Sequence, residues 1–125
     1  MLAHALVDQR RFDEAEDAAS LSEKTGAEDD VSTQVMWRGA LARVLSARGR
    51  PDEARALAET AVRLAEQTDD LNMRGDTLIA LGEVHGTANE SEDAASAFAK
   101  ALERYEAKGN EVAADSTRRR LAALA

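Results

Sequence analysis

The sequence predicts an all-α protein, a row of antiparallel helical hairpins, and three observations carry that expectation. Of 125 residues, 27 are alanine, against one proline and seven glycines. Alanine is the strongest helix former, and an all-β chain needs more turn residues than this. The second observation is a repeat: Asp13-Glu14-Ala15, Asp52-Glu53-Ala54 and Glu92-Asp93-Ala94 follow one another at 39 and 40 residues. The pairs Asp29-Asp30 and Asp69-Asp70 lie 40 apart, and Leu2-Ala3, Leu41-Ala42, Leu81-Gly82 and Leu121-Ala122 keep spacings of 39, 40 and 40. Three independent markers with one period signify a repeat architecture. The third observation is the scarcity of large apolar side chains. The chain is 44% hydrophobic but only 3% aromatic, so its elements must approach through small residues rather than interlock around one deep core.

Apolar spacing and end signals place the elements in order. Helices are expected over about 1–10 and 12–25. Asp30 is placed to cap a helix over 31–48, striped by Val35, Leu41, Val44 and Leu45 and ended at Arg48-Gly49, where glycine takes the left-handed cap conformation. Pro51 suits a first helical turn, and Asp52 and Glu53 favour a helix N-terminus, so the partner helix runs 51–67 through Ala54, Leu57, Ala58, Ala61, Val62 and Ala65. Asp70 caps a helix over 71–87, Ser91 opens one over 91–108 closed by Gly109, and 111–124 forms the last. Connections this short make successive helices antiparallel neighbours.

Composition excludes several classes of function. A net charge of −8 repels a phosphate backbone, so neither nucleic acid nor an anionic membrane is an expected partner. No apolar run approaches the roughly 20 residues of a membrane span, and Met1 to Val7, followed by Asp8, Gln9, Arg10 and Arg11, lacks the form of a signal peptide. Without cysteine there is no disulfide, thiolate metal site or cysteine nucleophile. A cytoplasmic protein is the expectation.

The repeat resembles the tetratricopeptide repeat, with a Leu-Gly pair in its first helix and an alanine followed four residues on by an aromatic in its second. The third unit carries Leu78, Leu81-Gly82, Ala94, Phe98 and Ala101 in register, with His85 where the family usually has Tyr. The middle unit keeps Leu41-Ala42, Leu45, Ala54 and Ala61 but has Ala58 in the aromatic slot, and the first keeps Leu2-Ala3, Leu6, Phe12 and Ala15. The period of 39–40 exceeds the usual 34, so the chain is similar to long-helix variants. Residues 102–114 are similar to stretches near the C-terminal ends of large bacterial regulators, including some nucleotide-cyclase and ATPase-type signalling proteins. Armadillo-type repeats match the length but not the Leu-small and Ala-aromatic pairs together.

The resemblance implies a right-handed superhelix of three repeats, about 1–28, 29–68 and 69–109, with a capping helix at 111–125, all in one domain. Ala42, Gly82 and Ala122 on first helices and Ala54, Ala94 and Ala101 on second helices are then expected where backbones cross closely. The first helix of each repeat would line a concave face, presenting Met36, Gly39, Ala40 and Arg43, then Asp76, Ile79 and Glu83, then Arg119. Such a mixture of Met, Ile and opposite charges suits an extended peptide or an amphipathic helix, although the same residues also suit an ordinary solvated face.

No catalytic chemistry is expected. His4 and His85 occupy different repeats and the sequence places no converging partners near either, so no metal or cofactor is assigned. The pairs Asp29-Asp30 and Asp69-Asp70 lack the oxygen-rich loop of a calcium site and read as helix caps. Arg118-Arg119-Arg120 reads as a last-turn cluster rather than a phosphate site, and neither a phosphate loop nor a Ser/His/Asp arrangement is present. The expected function is a protein-interaction scaffold, a regulatory module of a larger bacterial protein. Self-association or a spacer role is the alternative, and a small-ligand sensor is disfavoured by the lack of aromatic lining. Met1-Leu2 already stands in repeat register, which suggests a fragment of a longer chain.

Overall fold

A computed structural model describes residues 31–124. They form five helices, α1 (Val31–Ala47), α2 (Pro51–Glu66), α3 (Leu71–Thr87), α4 (Ser91–Lys108) and α5 (Glu111–Leu124), with no strand among the described residues. Each end falls within one residue of the sequence expectation. The expected helices at 1–10 and 12–25, the cap at Asp30 and the contact residue Ala15 lie outside the described residues.

Three of the four connections use one device. After α1, α3 and α4 a residue at φ +77 (Gly49), +63 (Asn89) or +80 (Gly109) reverses the chain. The amide that follows each donates to a carbonyl five residues back: Arg50 to Leu45, Glu90 to His85 and Asn110 to Tyr105, all at 2.9 Å. This is the 6→1 bond of a Schellman ending. Asn89 stands where the other two turns have glycine, since asparagine tolerates the left-handed region better than most residues. The α2–α3 connection works differently. The Asp70 carboxylate accepts from the Met73 amide at 3.0 Å, capping α3, and the Thr68 hydroxyl donates to the Ala65 carbonyl at 2.8 Å.

Successive helices pack in pairs, and α1 also packs directly on α3. The outer helices α2 and α4 are amphipathic, whereas α1 and α3 carry apolar residues around their circumference because they have neighbours on more than one side. On α2 the buried stripe is alanine throughout: Ala54, Ala58, Ala61 and Ala65 are all fully buried. On α4 the same stripe reads Ala94, Phe98, Ala101 and Tyr105. The two aromatics fit because glycine faces each of them. A methyl group on Gly82 would lie 2.5 Å from Phe98 Cε1, and one on Gly75 would lie 2.6 Å from Tyr105 Cε1. The middle repeat has a larger residue on the inner helix and a smaller one on the outer: 40 residues earlier, Ala42 meets Ala58 in one apolar cluster, and Val35 meets Ala65 in another. Leu41, Leu57 and Leu81 pack against the first cluster.

In α5, Ala114 and Thr117 are buried against the preceding hairpin. The face that α3 turns toward α4 with Gly75, Leu78 and Gly82 carries Asp115, Arg118 and Ala122 in α5, and these are exposed. The close crossing expected at Ala122 is therefore not made among the described residues. No described helix covers that face, and its polar side chains suit it to water.

Candidate functional site

The side-by-side placement of α1, α3 and α5 leaves a cleft of about 530 Å³. From α1 it receives Met36, Gly39 and Arg43, from α3 Met73, Asp76, Ile79 and Glu83, and from α5 Arg120, with Tyr105 of α4 reaching in and Asp70 at the edge. Ala40, fully buried, is not among the lining residues, and six of the eight residues expected on the concave face, Met36, Gly39, Arg43, Asp76, Ile79 and Glu83, thus stand together. Arg119 does not: it is exposed and outside the cleft, and Arg120 takes the inward position. One residue is about 100° of helix rotation, so a short terminal helix with three consecutive arginines gives little in sequence to fix which of them turns inward.

Glu83 is the electrostatic centre. Its two oxygens take separate guanidinium groups, Arg43 Nε at 2.8 Å and Arg120 Nη1 at 3.0 Å. Arg120 also lies over the Phe98 ring, 5.8 Å from its centroid, so one side chain joins α5, α3 and α4. Arg43 and Glu83 are the same position of successive repeats. Stacking brings equivalent positions together, so like charges there would repel and opposite charges pair.

At the other end the Tyr105 hydroxyl donates to Asp76 Oδ1 at 2.5 Å. Burial raises the Asp76 carboxyl above its usual range; the Tyr105 hydrogen bond opposes this and the nearby Asp70 charge adds to it. The residue as a whole stays solvent-exposed, so the desolvation acts on a carboxylate that still reaches water. Burial, with the Asp76 carboxylate as acceptor, pushes the Tyr105 phenol far up and keeps its proton in place. Asp70 is engaged as the cap of α3. Among the described residues neither Asp70 nor Asp76 has a cation at ion-pair distance. Around them lie Met36, Met73 and Ile79, so this half of the cleft is apolar with a negative edge.

A second polar group lies on the α3–α4 turn. His85 Nδ1 and Glu90 Oε1 are 3.0 Å apart, and Arg55 Nη1 of α2 reaches Glu90 Oε2 at 3.3 Å. The hydrogen bond to His85, ahead of the Arg55 charge, draws the Glu90 carboxyl below its usual range. Elsewhere Glu66 of α2 is bracketed by Arg74 Nε at 3.8 Å and Arg104 Nη2 at 3.4 Å, which ties the two hairpins.

Sequence reasoning missed Tyr105, Met73 and Arg120 at the cleft, and read Asp70 only as a cap. For Tyr105 a signal existed: Gly75, a glycine within an otherwise helical pattern, marks a close approach. No described helix is long and apolar enough to cross a membrane. Neither a curated protein nor a solved structure gives a match. A family model described as tetratricopeptide repeat matches residues 32–107, nearly the whole span of α1 to α4. Repeats of this kind generally mediate protein–protein interaction, and the chain belongs to the tetratricopeptide repeat family.

Proposed function

We propose that the cleft between α1, α3 and α5 holds a segment of a protein partner that is both apolar and cationic, and that the chain acts without catalysis as an interaction scaffold. The observation that supports this most directly is the pairing of Met36, Met73 and Ile79 with two carboxylates, Asp70 and Asp76, that have no cation beside them among the described residues. Methionines adapt to varied apolar partners, and the negative edge selects lysine or arginine and accelerates encounter. We read the chain as one domain over 1–125, a cytoplasmic regulatory module of a larger bacterial protein.

Fluorescence polarisation with labelled peptides of equal length, one alternating Lys and Leu and one alternating Glu and Leu, tests this reading. The cationic peptide should bind and weaken steeply with added salt, and Asp76→Lys or Ile79→Lys should weaken it at least about tenfold, a ΔΔG of about 1.4 kcal/mol, with helicity unchanged. Equal binding of both peptides, or full binding by the cleft variants, refutes it. The second reading, self-association, draws on Val112 of α5, a large apolar residue that is 82% exposed. Light scattering that finds a monomer at all concentrations removes it.

A further inference from the structure

We propose that His85, Glu90 and Asp93 form a binding site for a divalent cation of the zinc type, which clasps the turn between α3 and α4. His85 stands in the last turn of α3, Glu90 is the N-cap residue of α4, and Asp93 lies in the first turn of α4. One ligand atom from each, an imidazole nitrogen and two carboxylate oxygens, falls within 4.8 Å of the other two. Zinc held tetrahedrally at 2.0–2.2 Å has its ligand atoms about 3.3 Å apart. His85 Nδ1 and Glu90 Oε1 are already at 3.0 Å, so a few tenths of an ångström there and a rotation of the exposed Asp93 side chain complete the set.

The repeat supplies an internal control. The positions 40 residues earlier are Leu45, Arg50 and Glu53. There Leu45 lies in the apolar core, and Arg50 grips Glu53 through three bonds, of 3.1, 2.8 and 2.6 Å. In the third repeat the leucine has become an imidazole and the arginine a carboxylate. A turn that carried its own counter-charge has turned into three metal donors, two of them anionic. Arg55 compensates only part of this charge: it meets Glu90 through Oε2, the oxygen that His85 leaves open. That is the place of an outer partner that orients a ligating carboxylate.

The helix ends oppose each other here, since the α3 C-terminus favours a cation and the α4 N-terminus disfavours one, so the side chains decide. One nitrogen and two oxygens suit Zn²⁺, Co²⁺ or Ni²⁺ rather than Ca²⁺ or Mg²⁺, which take oxygen alone. Water completes the coordination at this surface position. The bound ion would join the last turn of one helix to the first turn of the next and stiffen the hairpin.

Calorimetric titration of the metal-free protein with Zn²⁺ tests the proposal, and the absence of cysteine removes thiolate competition. One equivalent should bind with a rise in the thermal midpoint. His85→Leu and Glu90→Arg each restore the residue of the middle repeat and so preserve the hairpin, which circular dichroism checks. Each should weaken binding at least about tenfold, while His4→Asn should leave it unchanged. Absence of Zn²⁺ binding up to millimolar concentration overturns the proposal, as does binding that survives His85→Leu.

Discussion

Gly82→Ala should change sign with the residue opposite it. A methyl at position 82 would lie 2.5, 2.7 and 2.9 Å from Cε1, Cδ1 and Cζ of Phe98, a ring that is 5% exposed and covered by Arg120. Contacts that short force the ring or the helix to shift, and overpacking of this kind costs about 1–3 kcal/mol. Against it stands the gain of about 1 kcal/mol from replacing a mid-helix glycine. The single change should therefore destabilise by about 0–2 kcal/mol. Phe98→Ala alone should cost about 3–5 kcal/mol through lost burial and the cavity left behind. In that background the position 82 methyl enters vacated space, as Ala42 does against Ala58 in the middle repeat. There Gly82→Ala should stabilise by about 1 kcal/mol or more. The coupling between the two sites is then about 1–3 kcal/mol. Urea unfolding of the four proteins of the cycle, followed by far-UV circular dichroism, measures it. If Gly82→Ala has the same sign in both backgrounds, and the same size within about 0.5 kcal/mol, the volume-exchange reasoning is wrong.

Three further outcomes follow from the same geometry. Ala94→Leu places three extra heavy atoms at a fully buried position and should cost about 1–3 kcal/mol or more, so an unchanged thermal midpoint would contradict the predicted register. Gly49→Ala, at φ +77, should cost about 1 kcal/mol, whereas Asn89→Gly, at φ +63, should be neutral or slightly stabilising; chemical denaturation ranks the two. The Asp76 carboxyl is raised in the fold, so the native state holds that proton more tightly than the unfolded chain, and this group's contribution falls as pH rises from 3.8 through its folded value. Asp76→Asn keeps the neutral form, so the variant should gain stability relative to wild type as pH is raised from 3 to 7, and denaturation midpoints that converge instead would refute the assignment.

The hairpins were legible because their signals are local. Gly49, Pro51, Asp70 and Gly109 end or begin helices by their own backbone chemistry, and the 40-residue period then fixes which helices are equivalent. Alanine at 54, 58, 61 and 65 marks the buried side of α2 without any knowledge of its neighbour. The cleft was less legible because membership depends on rotation and reach. Arg119 and Arg120 are alike in composition and charge, and one residue of rotation separates the exposed one from the one that meets Glu83. Tyr105 sits on a second helix, and the rule that first helices line the concave face gives it no place there. The cluster at His85 was invisible for another reason: Asp93 served only as a repeat marker and Glu90 carried no signal, and only the fold of the α3–α4 turn brings the imidazole to them.

Tyr105 shows how packing inside a hairpin reaches the cleft. Its ring lies on the bare backbone of Gly75, and its hydroxyl passes to Asp76, the next residue. In the middle repeat the equivalent pair is Val35 and Ala65, packed together with no polar group carried through. Glycine at 75 is thus a window by which a residue of α4 orients a carboxylate on the adjacent face of α3 and moves its titration. Gly75→Ala should close it, because a methyl there stands 2.6 Å from Tyr105 Cε1. The displaced ring would release the Asp76 hydrogen bond, whose removal raises the Asp76 carboxyl further, since that bond favours the charged form. Carboxyl-detected NMR titration should show this upward movement in Gly75→Ala and in Tyr105→Phe alike. If Gly75→Ala leaves the Asp76 titration unmoved while Tyr105→Phe shifts it, the ring does not depend on the glycine and the two faces of α3 are uncoupled.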